Sequence, residues 1–162
     1  MHADASGGED GDRPDREPTA VLHRDGGPGA PGAPGTLWTI GHSTRSIEDL
    51  LALLAGYRIE RLMDVRRYPG SRRLPHFGQT ELAAVLAAAG IGYTHEPDLG
   101  GRRAAQTGPS PNGAWRNASF RAYADHMATP AFRAALDRVL GSASEHRTVV
   151  MCAEAVPWTC HR

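Results

Sequence analysis

The chain has 162 residues, 18 of them arginine and none lysine, balanced by 18 acidic residues to a formal net charge of zero. That length suits one domain, and two cysteines are too few for a secreted disulfide framework. There is no apolar run long enough to span a bilayer and no basic-then-apolar leader, so the sequence predicts a cytoplasmic protein with no membrane partner.

The zero net charge hides an asymmetry. Residues 1–35 hold seven acids against three arginines, leaving 15 arginines against 11 acids, or +4, in the remainder. With no lysine, every cation is a guanidinium suited to bidentate contact with phosphate or carboxylate. The same composition, rich in Ala, Gly and Arg, also fits a GC-rich genome. Residues 1–35 lack apolar periodicity and end in GGPGAPGAPG, which predicts a disordered acidic tail. A single ordered domain is expected over residues 36–162.

Leu37–Ile40 reads as a short strand leaving through Gly41, His42 and Ser43. Ser46 then caps a helix whose Leu50, Leu51 and Leu54 share a face and which Gly56 ends. Ile59–Val65 is a second strand, followed by Arg66, Arg67, Tyr68 and Pro69. A loop carrying Arg72, Arg73, His76 and Phe77 leads to a helix capped by Thr80, with Leu82, Val85, Leu86 and Ala89 on one face. A third strand, Ile91–Thr94, leaves through His95, Glu96 and the turn Leu99-Gly100-Gly101-Arg102-Arg103. After the polar loop 104–117, Ser119 is read as capping a helix through Met127. Thr129-Pro130 opens another, running through Phe132, Leu136, Val139 and Leu140 to Gly141. Thr148–Met151 is the fourth strand, entering Cys152-Ala-Glu154.

Strands alternating with helices in this way predict an α/β fold. It has three layers, a mostly parallel sheet of about four strands with helices on both faces, Rossmann-like in type. Ligands of such sheets bind beyond the carboxyl ends of the strands. One rim is therefore expected to gather His42 and Ser43, Arg66 and Arg67, Glu96 and the turn Gly100-Gly101-Arg102-Arg103, and Cys152 and Glu154, and the site is expected to draw also on Asp64, Arg72 and Arg73, with Cys160, His161 and Arg162 following. Three chemistries remain open. Cys152 or Cys160 could act as a nucleophile with His161 or His42 as base, Arg162 lowering the thiol pKa and Glu154 serving as acid or base. Cys152, Cys160, His161 and His42 could instead hold zinc or iron, although the C-x7-C-H spacing matches no common zinc pattern. In the third, the arginines bind an anion and the cysteines are inert. Six arginines in two loops (66, 67, 72, 73, 102, 103), interleaved with Tyr68, His76 and Phe77, point to an anionic small molecule or a nucleic acid. The residues assign no cofactor.

Several segments together resemble the bacterial and archaeal domain-of-unknown-function 488 proteins. They are Thr39-Ile-Gly-His-Ser-Thr-Arg, Asp64-Val-Arg with Tyr68-Pro69 and Ser71-Arg-Arg, Phe77, Leu99-Gly-Gly-Arg, Phe120-Arg-Ala-Tyr-Ala, and Cys152-Ala-Glu with Pro157 and Cys160-His-Arg. The resemblance implies an α/β fold and the grouping of these motifs, and assigns no reaction. Such proteins continue past Cys-His-Arg into a helix and strand, so a shortened final segment with reduced stability is expected here. Function is accordingly read as an enzyme-like domain binding a phosphate-bearing substrate, with a non-catalytic binding module or a Cys/His metal site as alternatives.

Overall fold

Leu37–Gly41 forms β1, Arg61–Asp64 β2, Gly92–His95 β3 and Thr148–Cys152 β4, all paired in parallel in the order β1-β4-β2-β3. These coordinates are a computed structural model describing residues 35–70, 73–104 and 108–155. The predicted tail, apart from Gly35, lies outside the described residues, as do Arg72, Cys160, His161 and Arg162.

Strand β4, buried at all five positions, is the most enclosed because it lies between β1 and β2. Its residues alternate between two cores, as the two-residue period of a strand requires. Val149 and Met151 pack with Leu62, Phe77 and the leucines of two helices, α1 (Ile47–Gly56) and α2 (Gln79–Ala88). Val150 and Cys152 pack on the opposite face with Met63, Val65, Leu99 and α4 (Pro130–Glu145). The remaining helix, α3 (Ala118–Met127), reaches this second core through Tyr123. The architecture is thus the expected three-layer α/β sandwich, with a sheet parallel throughout.

Local chemistry sets the helix ends. The Ser46 hydroxyl accepts from the Asp49 amide at 3.1 Å, and the Thr129 hydroxyl from the Phe132 amide at 3.3 Å, each cap contributing about 1 kcal/mol. Two expected caps are corrected. Helix α2 starts at Gln79, after Gly78, so Thr80 lies inside its first turn. Helix α3 is capped by Asn117, whose Oδ1 accepts from Ser119 and Phe120 and so takes the role expected of Ser119. Gly141 does not end α4, which continues to Glu145. The face α4 buries runs through Phe132, Ala135, Val139 and Ala143, leaving Leu136 and Leu140 exposed.

Connectivity decides where a ligand can enter. The chain leaving β2 turns towards α2 on one face, and the chain leaving β3 turns through a short 3₁₀ helix, Pro97–Leu99, towards α3 and α4 on the other. Neighbouring strands whose exits diverge in this way open a crevice at their carboxyl ends. Here the crevice falls between β2 and β3.

Candidate functional site at the divergence of two strands

In the extended chain leaving β2, Asp64 and Arg66 are two residues apart and lie on the same side. Arg66 folds back on Asp64, with Nε donating to Oδ1 at 2.8 Å and Nη2 to Oδ2 at 2.5 Å. Its Nη1 donates to the Phe77 carbonyl at 2.9 Å, and the Tyr93 hydroxyl donates to Asp64 Oδ2 at 2.8 Å. The two side chains are 7 % and 0 % exposed, so this is a buried ion pair with several satisfied partners. Burial, and then the Asp64 charge, raises the Tyr93 pKa well above the usual phenol range.

His42 completes this cluster. Its ring stacks on Phe77, with centroids 4.2 Å apart. Nδ1 donates to the Ser43 carbonyl at 2.9 Å, which leaves the Nε2 lone pair facing Arg66 Nη1 at 3.3 Å. Burial first, and the Arg66 charge second, lowers its pKa to about 4. His42 is therefore a neutral acceptor at pH 7, and protonating it would set a second cation against Arg66.

The Arg66 guanidinium points inward beneath the rim, its donors engaged by Asp64, the Phe77 carbonyl and His42 Nε2. The adjacent Arg67 and Tyr68 face outward instead, around an open depression of about 290 Å³ lined by Arg67, Tyr68, Pro97, Asp98 and Arg103. This depression occupies the crevice between β2 and β3.

Gly100 makes that juxtaposition possible. A Cβ there would lie 2.6 Å from the Val65 carbonyl oxygen and 2.7 Å from the Arg67 nitrogen, so only glycine lets the turn after β3 close on the exit of β2. Gly101, half-buried, continues the turn into Arg102 and Arg103. Arg103 is anchored, its Nε donating to Gly100 O at 2.9 Å and its Nη2 to the Pro97 carbonyl, while Nη1 lies 3.8 Å from Asp98 Oδ1. Arg102 is exposed with a left-handed backbone (φ 57°), a strain of about 1–3 kcal/mol, and makes no hydrogen bond or ion pair among the described residues. Burial, then the Arg67 charge, lowers the Arg103 pKa, and the Arg67 hydrogen bond lowers that of Tyr68, with Arg103 and Arg102 adding to it. The Tyr68 shift reflects the guanidiniums gathered around its ring.

The remaining candidates divide by position. Ser43 is left-handed (φ 49°), and its amide donates to Ala153 O as the His42 amide does to Cys152 O, stitching the exits of β1 and β4 together. Gly41 is needed at that seam, since a Cβ would overlap the Glu154 carbonyl. Glu154 and Arg73 are exposed. Glu96, which sequence placed at the rim, pairs with Arg138 of α4 at 2.8 and 2.6 Å and so ties the exit of β3 to the second core.

Cys152 departs furthest from expectation. Its thiol packs with Met63, Val65, Phe132 and Val139 on the sheet face opposite Asp64 and His42, and the residue is 1 % exposed. Sγ accepts from the Glu154 amide at 3.2 Å. In this position Cys152 is a core residue, on the sheet face away from the Phe77 ring against which His42 stacks. Native Cys152 is expected to resist alkylation at neutral pH while a small-molecule thiol reacts fully, as read by peptide mass spectrometry. Labelling as fast as an exposed thiol would contradict this placement. Among the described residues no three His, Cys, Asp or Glu side chains converge as a metal-binding group. No helix among them is long and apolar enough to cross a membrane.

Sequence reasoning set Arg67, Tyr68 and Arg103 in the arginine-rich loops without choosing them as site residues, and did not single out Asp98. The two-residue period carried the missing signal, because it places Asp64 and Arg66 on one side and Arg67 on the other. No curated protein and no solved structure matches this chain. One family model does match, described as Domain of unknown function DUF488, over residues 46–162. That span begins after the Thr39–Arg45 segment and takes in the Asp64-Val-Arg, Leu99-Gly-Gly-Arg and Cys152-Ala-Glu motifs, together with every residue lining the crevice. With most of its length covered by that model, the chain belongs to the DUF488 family.

Proposed function

We propose that the protein binds a phosphate-bearing ligand in the crevice between β2 and β3, through Arg67, Arg102 and Arg103. One observation carries this reading, the coincidence of the arginine-lined depression with the point where the two strand exits diverge. Two guanidiniums, Arg67 and Arg103, line the crevice against the single carboxylate of Asp98, Arg102 lies close enough to act on Tyr68, and two of these three arginines keep donors uncommitted. The Nη groups of Arg67 and the whole Arg102 head group have no hydrogen-bonding partner among the described residues. The buried Asp64–Arg66 pair and Gly100 hold the two loops in register for them.

The chemistry favoured by this lining is recognition. Catalysis at the same rim would have to draw on Glu154 and on Cys160, His161 and Arg162, the last three lying outside the described residues.

The test is calorimetric titration with pyrophosphate of the wild-type chain and of Arg67→Gln, Arg102→Gln and the double variant. Each charge-assisted contact contributes about 1.5–3 kcal/mol, so each single variant should weaken binding roughly tenfold or more. Affinity should also fall as salt is raised. A double variant that binds like wild type would sink the proposal.

A further inference from the structure

Two features of the crevice have no place in a site for bare phosphate. The first is Tyr68, the most exposed large hydrophobic residue among those described, at 65 %. Arg67 lies against its ring at 5.6 Å and donates from Nε to its hydroxyl at 3.1 Å, and Pro69 follows it, restricting the Tyr68 backbone. The ring is thus oriented at the mouth of the depression with much of its surface open to solvent. The second is Asp98, whose carboxylate lines the same depression and is 43 % exposed, more than 3.5 Å from its nearest cation. A carboxylate beside a phosphate is repulsive, but it is a suitable acceptor for a hydroxyl or an amino group.

Resting on the phosphate-binding reading above, we infer that the ligand is a single nucleotide unit, its base stacked on Tyr68, its phosphate on Arg67 and Arg102, and its sugar hydroxyls or base amino group towards Asp98. One molecule that is anionic at one end, flat and apolar at the other and rich in donors between them satisfies all three surfaces. The volume of about 290 Å³ lies at the small end of ligand sites, which run from about 300 to 1,000 Å³, and favours one unit over a strand. Aromatic stacking accepts any base, since every base presents a π face, so the four bases should bind within a few-fold of one another.

The experiment compares adenosine 5′-monophosphate, ribose 5-phosphate and a single-stranded oligonucleotide on the full chain, with Tyr68→Ala and Tyr68→Phe alongside. Wild type should bind the nucleotide about tenfold or more tighter than ribose 5-phosphate, the usual size of one stacking contact. Tyr68→Ala should bring the affinity for the nucleotide down to that for ribose 5-phosphate, whereas Tyr68→Phe, which keeps the ring, should preserve the difference. Tyr68 is exposed, so both variants should melt at the wild-type temperature, which removes misfolding as an explanation. Equal affinity of wild type for nucleotide and sugar phosphate would overturn the stacking inference and leave the phosphate site standing. Failure of both to bind would overturn the two together. Affinity that climbs with oligonucleotide length would overturn the assignment of a single unit.

Discussion

Replacing Asp64 with alanine should lower the unfolding free energy by about 3–5 kcal/mol, the usual result of removing one partner from a buried ion pair. Arg66 would keep its bonds to the Phe77 carbonyl and His42, but its positive charge would be left uncompensated where the side chain is only 7 % exposed. For a chain of this size the loss should appear as a fall in melting temperature on the order of 10 °C. The double variant Asp64→Leu/Arg66→Met separates the orphaned charge from lost packing. Exchanging a whole buried pair for apolar groups is often neutral or stabilising, so the double variant should recover much of the loss. A single Asp64→Ala variant that melts at the wild-type temperature would show that the pair does not organise the rim.

Acid sensitivity is the second large effect. His42 has an ordinary pKa of 6.5 and a folded value of about 4, so between these values the unfolded chain holds a proton that the folded one does not. Stability then rises with pH across that window and is complete above pH 6.5. Lowering the pH from 6.5 to 4 should cost about 3 kcal/mol from this residue alone. Urea unfolding at steps across the window measures it, with His42→Gln as the comparison. The wild-type slope should exceed that of the variant over this range, and parallel curves would contradict the buried neutral imidazole. Arg66 and His76 oppose protonation of His42, and Asp64 favours it.

Much of the fold was legible because apolar periodicity marks strands and helices directly. All four strands and four helices stand where spacing placed them, shifted by no more than four residues at their ends. The caps assigned to Thr80 and Ser119 failed for a common reason. A hydroxyl near a helix start is a capping candidate at several positions, and only backbone geometry chooses among them. The exits of the strands were equally legible, since the Gly, Arg and His clusters mark where extended chain stops.

The direction of individual side chains was harder to read. Cys152 sits at the tip of a strand and looked reactive, yet counting alternately from Val150 puts its thiol on the α4 side, within apolar packing. Arg66 looked like a free cation because its partner, Asp64, was itself read as a site residue. Sequence also gives no view of which loops diverge, which depends on the order β1-β4-β2-β3. That order leaves β2 and β3 neighbours, with connections to opposite faces. It is what turns Arg67, Tyr68, Asp98 and Arg103, separated by some thirty residues in the chain, into one lining.

The most direct test of the binding crevice is an amide chemical-shift map of the isotope-labelled protein titrated with adenosine 5′-monophosphate. Perturbations should concentrate at Arg67, Tyr68, Asp98 and Gly100–Arg103. Shifts centred on the seam of β1 and β4, at Ser43, Ala153 and Glu154, with the β2–β3 crevice silent, would contradict it.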